Sequence, residues 1–202
     1  MKLYYSPGAC SLASHIALHE IGLPFEAVRV QGRGQKTAGG EDYANVTAKN
    51  YVPALRLDDG QVLTEGTAIL PYIADRKPES GLAPAAGTIE RYRLHEWLGY
   101  INSEVHKNFG PFFAPGTSDE QKAAAKANLG KRFDFTQAEL GDKPFLLGAH
   151  FTVVDAYLFT VLGWCGFVGI DLGQWPGLKA YHARIAGRPA AQAAMKAEGL
   201  IK

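Results

Sequence analysis

Cys10 carries the plainest chemistry in this chain of 202 residues. It stands where Leu3-Tyr4-Tyr5, a short apolar run that reads as a buried strand, passes through the turn Ser6-Pro7-Gly8 into a helical pattern carried by Leu12, Ile16, Leu18, Ile21 and Leu23. A thiol that opens a helix faces free backbone N–H groups and the positive end of the helix dipole, and both favour its anion. The expectation is a cysteine that loses its proton more readily than a free one and acts as a nucleophile. The alternative is a small, buried, inert residue.

Three further groups of residues invite a chemical reading. Thr64-Glu65-Gly66-Thr67 opens a second helical pattern, Ile69, Leu70, Tyr72 and Ile73, so the N–H groups of Gly66 and Thr67 can hold an anion while Glu65 grips a cation or simply favours the dipole. His95, Asn102, Ser103 and His106 fall at helical spacings on one polar face, which is either a hydrogen-bonding surface for a ligand or a solvated one. Phe109, Phe112 and Phe113 cluster beside Lys107 around Gly110-Pro111, as core or as the wall of an apolar site. Lys36, with Gln35, sits in a glycine-rich polar loop, Gln31 to Gly40, where it is either simply solvated or able to reach an anionic ligand.

The elements that must position these groups follow from pattern and punctuation. Residues 25–30 alternate as a second strand, and residues 52–57 and 61–63 flank the Asp58-Asp59-Gly60 turn as a hairpin. Asn50, a residue that tolerates positive φ, turns the chain before it, and Pro53 stands at a strand start, where trans is the default isomer and cis is tolerated. Residues 75–87, rich in Pro, Gly and Ala, read as a linker. Beyond it the patterns are helical: an apolar stripe through Leu94, Trp97, Leu98, Ile101, Val105 and Phe109, then residues 119–140, then an apolar run from Thr152 to Ile170, then Leu178 to Met195 with a break at Arg188-Pro189. Thr152-Val153-Val154-Asp155 has the form of a capping box, and the run behind it suits a buried central helix better than a membrane span. The boundaries implied are an α/β domain over 1–79 and an all-α domain over 88–202.

Composition narrows the class. Hydrophobic residues make up 47% and charged residues 20%, which describes an ordinary globular protein, and a net charge of +1 with scattered Lys and Arg points to neither nucleic acid nor an anionic membrane surface. Cys10 and Cys165 are far apart and in no paired spacing, so neither a disulfide framework nor a metal site is expected. Reduced thiols and an amino terminus that runs straight into a strand pattern imply a cytoplasmic protein.

Read together, Tyr5-Ser6-Pro7-Gly8-Ala9-Cys10-Ser11, Tyr51-Val52-Pro53-Ala54-Leu55, Glu65, Ser103-Glu104-Val105-His106-Lys107 and the Thr152–Asp155 cap resemble the glutathione transferases, and among them the bacterial beta class. The resemblance implies a thioredoxin-like domain that holds glutathione and a helical domain that supplies the second wall. It implies a cis Pro53, a Val52 backbone paired with the cysteinyl unit, and Glu65, Gly66 and Thr67 on the γ-glutamyl end, with Tyr51, Ser103, Lys107 and Lys36 among the glutathione contacts. Cys10 would lie by the glutathione sulfur and His106 would reach it. Phe109, Phe113 and Trp164 would seat a hydrophobic electrophile, and Glu104 would approach the glutathione of the partner in a homodimer. Conjugation for detoxification, without a metal, is the implied activity. The alternatives are a glutathione-dependent thiol–disulfide reductase using Cys10 and a binding protein without catalysis. Two departures stand out: Gly66 replaces the family's usual serine and removes a hydroxyl from the carboxylate site, and Thr47-Ala48-Lys49-Asn50 replaces Asn-Pro-Lys-Gly, which should alter only a loop.

Overall fold

The computed structural model describes residues 1–31 and 36–202. These fall into two units, residues 1–83 with 187–202 and residues 84–186. The sequence places residues 187–202 with the helical domain, whereas in the structure they pack with the first unit.

In that unit β1 (Lys2–Tyr5) leads through Cys10 into α1 (Ser11–Ile21). The strands β2 (Glu26–Gln31), β3 (Lys36–Thr37), β4 (Ala54–Arg56) and β5 (Val62–Thr64) complete a sheet of order β3-β2-β1-β4-β5. The α1 crossover makes β1 and β2 parallel, and β4 lies antiparallel to β1, with Leu3 opposite Leu55. Chemistry thus sits at the carboxyl end of the central strand. Tyr4, Val30, Tyr43, Val46 and Ala54 form a core on one face of the sheet. On the other face α1, nearly all buried, packs against α2 (Gly66–Asp75). Pro71 lies buried inside α2, which continues through it. Gly22 closes α1 with φ 65°, a left-handed cap that a residue without Cβ adopts at little cost. Asn50 takes φ 56°, as its side chain permits. The two-residue β3 carries Lys36, which the sequence places in a loop; an edge pairing with Gln31 holds it there. Gln35 lies outside the described residues.

In the second unit α3 (Ile89–Tyr100) does not run unbroken to Phe109. It passes into a π-helical stretch, Ile101–Val105, and a 3-10 turn, His106–Phe109, before α4 (Gly110–Phe113). The long α5 (Asp119–Leu140) starts with a capping box of Ser118 and Gln121. The apolar run beyond Thr152 becomes α6 (Val153–Gly163), buried from Val153 through Leu162, and then a 3-10 stretch holding a buried Cys165. Asp155 closes the cap at its start: its carboxylate accepts from the Thr152 N–H at 2.8 Å, the Thr152 hydroxyl at 3.0 Å, the Leu146 N–H at 2.8 Å and the Tyr181 hydroxyl at 2.8 Å. The last pattern splits into α7 (Pro176–Ala186) and α8 (Pro189–Ala197).

The split explains why the chain end joins the first unit. Arg188 forks onto Glu20 of α1 with bonds of 2.7 and 3.0 Å, and α8 then packs its buried Ala191 and Ala194 against α1. Beyond α8 the enclosed Glu198 accepts from the Gly8 N–H at 2.8 Å and meets His15 Nδ1 at 2.9 Å. A residue near the end of the chain therefore fixes the turn that presents Cys10. No helix among the described residues is long and apolar enough to cross a membrane.

Candidate functional site

In the first unit the site is built around the turn before α1. Gly8 takes φ 70°, and Ala9 N–H closes onto the Ser6 carbonyl at 3.1 Å, which sets Cys10 as the residue capping the helix. The Cys10 thiol donates to the Val52 carbonyl at 3.4 Å. The Val52–Pro53 bond is cis, as the family resemblance implies.

The expected low pKa of Cys10 is not what the structure gives. Burial pushes the thiol up to about 11; the backbone N–H groups of Cys10 and Ser11 lower it by less, and Glu65 raises it further. The helix terminus acts as foreseen, but the cost of an ion in this partly buried position outweighs it. At neutral pH Cys10 is a thiol and a hydrogen-bond donor. In a Cys165→Ala background, thiolate absorbance should therefore rise with a midpoint near 11. A midpoint below the ordinary 9.0 would show that the helix terminus dominates after all.

Glu65 follows β5 and caps α2 with φ 69° and ψ 119°, a conformation that costs a non-glycine residue roughly 1–3 kcal/mol and persists only where its surroundings impose it. Its carbonyl accepts from Ala68 and Ile69, so the N–H groups of Gly66 and Thr67 precede the first bonds of the helix. Its carboxylate, about half exposed, receives the Lys49 ammonium and the Tyr51 hydroxyl, and these two, Lys49 foremost, hold its pKa below the usual carboxylate range. Lys49 thus does more than shape a loop. Sequence reading passes over it because a lysine in a polar segment looks solvated until the fold brings Glu65 beside it.

The second unit carries the other group. His106 Nδ1 lies 2.7 Å from the Tyr157 hydroxyl oxygen, and that hydroxyl donates to Asn102 Oδ1 at 3.0 Å. The edge of Trp164 meets the His106 ring with centroids 4.7 Å apart. Burial depresses the imidazole to about 4, so it is neutral at physiological pH. Tyr157 has no signal in the sequence, lying in an apolar run. Trp164 also packs against Phe109 at 5.4 Å and Phe113 at 5.9 Å, so the three aromatics assigned to an electrophile do gather beside His106. Phe109 is fully enclosed and belongs to the core, while Phe113 is 49% exposed. Glu104 holds Arg132 of its own chain at 2.7 Å, and Ser103 and Lys107 are exposed nearby. Among the described residues no group of His, Cys, Asp and Glu could hold a metal ion.

Comparison with known proteins gives one answer along the whole chain. Residues 8–76 match the glutathione S-transferase N-terminal domain and residues 97–189 the C-terminal domain. Glutathione S-transferase GstA of Escherichia coli O157:H7 is 46% identical over 200 residues, covering 99% of this chain and 100% of the relative. A sphingomonad glutathione S-transferase solved as a complex with glutathione is 53% identical with a TM-score of 0.96, each chain covered in full (100% of both). A bacterial beta-class glutathione S-transferase from Sphingomonas chungbukensis is 52% identical with a TM-score of 0.96, again over 100% of both chains. The first unit accordingly has the thioredoxin-like arrangement and the second the helical one, and the chain belongs to the glutathione S-transferase family, in its bacterial beta class.

Proposed function

We propose that this protein transfers reduced glutathione to apolar electrophiles. The observation that carries the proposal is the arrangement in the first unit: Cys10 against the Val52 carbonyl, followed along the same unit by Glu65 and the first N–H groups of α2. A tripeptide with a thiol in its middle and an amino-acid group at one end meets complementary groups there. The Val52 backbone pairs with the cysteinyl unit. The N–H groups of Gly66 and Thr67 bind the γ-glutamyl carboxylate. The γ-glutamyl ammonium, a cation like Lys49, binds Glu65, with Tyr51 beside it. The exposed Lys36, Ser103 and Lys107 complete the glutathione contacts that the family resemblance assigns.

The reaction needs a sulfur nucleophile and a leaving group. The glutathione thiol loses its proton to solvent water, its sulfur forms a C–S bond to the electrophilic carbon, and the bond from that carbon to halide or another leaving anion breaks. Cys10, held as a thiol, supports this by donating its S–H to the developing glutathione thiolate in place of the Val52 carbonyl. The family resemblance assigns His106 to the glutathione sulfur as well, and Phe113 and Trp164 to the electrophile. The reductase alternative asks Cys10 to be the attacking thiolate, a form that its raised pKa leaves scarce. The relatives' family supports the finer assignments: a cytoplasmic homodimer that removes electrophiles, with Glu104 near the partner's glutathione.

Calorimetry with reduced glutathione and with cysteinylglycine, which lacks the γ-glutamyl residue, tests the binding mode. The dipeptide should bind at least roughly tenfold more weakly, the equivalent of about 1.4 kcal/mol. Equal affinity would remove Glu65 and the α2 terminus from the site. Gly66 offers a second test, since a Cβ added there meets nothing within 4 Å. Gly66→Ser should restore a hydroxyl to the carboxylate and tighten glutathione binding by up to roughly tenfold, for a gain of about 1–1.5 kcal/mol. Unchanged or weaker binding would mean that the carboxylate is already satisfied without it.

A further inference from the structure

The stretch Ile101–Val105 is where the long helical pattern of the second unit loosens into a π turn, a feature frequent at functional sites. It carries Asn102 at its start and delivers His106 just past its end, and both reach one hydroxyl, that of Tyr157 on α6. A phenol has a single proton. The Tyr157 proton goes to Asn102 Oδ1 at 3.0 Å, so toward His106 the phenol oxygen has only lone pairs to offer. The contact of 2.7 Å at Nδ1 then requires the hydrogen to sit on Nδ1. A neutral ring has one N–H, and burial keeps this ring neutral, so Nε2 is bare. Trp164, edge-on at 4.7 Å, and the Tyr157 ring at 5.9 Å hold the plane of the imidazole.

We propose that Tyr157, oriented by Asn102, is a positioning residue that fixes His106 in the Nδ1–H tautomer and presents Nε2 as a hydrogen-bond acceptor. The proposal rests on the assignment of His106 to the transferase reaction. In that reaction a bare Nε2 accepts a hydrogen bond from the glutathione S–H and orients the thiol before its proton leaves. The opposite tautomer would present an N–H, which suits an ionised sulfur far better than a thiol, a weak acceptor. Neither Tyr157 nor Asn102 need touch glutathione for this effect.

The test is made on the full chain with isotopically labelled histidine, because long-range proton–nitrogen correlation spectra distinguish a protonated ring nitrogen from a bare one. Wild type should show His106 protonated at Nδ1 and bare at Nε2. Tyr157→Phe removes the acceptor; the spectrum should move toward Nε2–H, and kcat for an aryl halide should fall by roughly tenfold while the glutathione KM stays within about twofold. Asn102 is exposed, so its variants test the same inference without disturbing the packing of α6. Asn102→Ala should free the Tyr157 proton to turn toward Nδ1 and give the same spectral change, whereas Asn102→Asp, which keeps an acceptor, should retain the wild-type tautomer and kcat. A wild-type ring bare at Nδ1 would mean that the Asn102 amide donates to Tyr157, and would overturn the proposal. So would a tautomer that neither Tyr157→Phe nor Asn102→Ala moves. If the tautomer moves and kcat does not, the positioning stands and His106 has no part in the chemistry.

Discussion

Asp155→Ala should lower the stability of the second unit by about 3 kcal/mol or more, because each buried donor left without its acceptor costs about 1–3 kcal/mol. The carboxylate is fully enclosed and accepts four hydrogen bonds, from the Leu146 and Thr152 backbones and the Thr152 and Tyr181 hydroxyls. Burial pushes its pKa up, and those donors, which favour the ionised form, pull the other way. Alanine leaves the donors without an acceptor in a place water does not reach, and it uncaps α6, the helix on which the unit is assembled. Asp155→Asn should be only partly tolerated, since its amide offers one oxygen where two are used and points N–H groups at other donors. Denaturant unfolding followed by tryptophan fluorescence reports on this unit, because Trp97, Trp164 and Trp175 all lie in it. A loss below about 1 kcal/mol would mean that the cap is decorative and that apolar packing alone sets the helix.

The second large effect concerns Cys10. Cys10→Ala should reduce conjugation of an aryl halide by roughly tenfold, the low end for losing one hydrogen bond to a charged group. The nucleophile in that reaction belongs to glutathione. The same substitution should bring glutathione-dependent reduction of a small mixed disulfide to background, because that cycle needs a cysteine sulfur on the protein. Even in the wild type the reductase should be the slower activity. A thiol with a pKa near 11 is ionised in only about one molecule in ten thousand at pH 7. Equal survival of both activities in Cys10→Ala would make Cys10 a structural residue. Loss of both would make its sulfur indispensable to conjugation and contradict the donor role.

The parts of this protein that can be read from its sequence are those whose signals are local. The strand–turn–helix at Cys10, the stop at Gly22, the positive φ of Asn50, the hairpin around Gly60 and the cap at Asp155 each depend on a few neighbouring residues, and each is present. The parts that cannot be read depend on contacts between distant ones. The Cys10 pKa is raised by burial, which outweighs the helix-terminus N–H groups beside it, and the thiol contacts the Val52 carbonyl 42 residues away. The turn that presents Cys10 is held by Glu198, 190 residues from Gly8. Lys49 and Tyr51 lie in a segment that looks like a plain loop until β5 brings Glu65 to them. The π turn before His106 escapes notice because one added residue per turn scarcely disturbs an apolar stripe. Phe109 shows the reverse case: its type suits a ligand wall, and only its burial assigns it to the core.

Which sulfur attacks decides the mechanism, and a single assay addresses that. Wild-type protein is given reduced glutathione with an aryl halide and, in parallel, with a small mixed disulfide, and mass spectrometry follows both the small products and the intact chain. The account predicts S-aryl glutathione formed in many turnovers with the chain mass unchanged, at a rate well above disulfide reduction. A chain that carries the aryl group on Cys10, or that reduces the disulfide rapidly while leaving the aryl halide untouched, would contradict it.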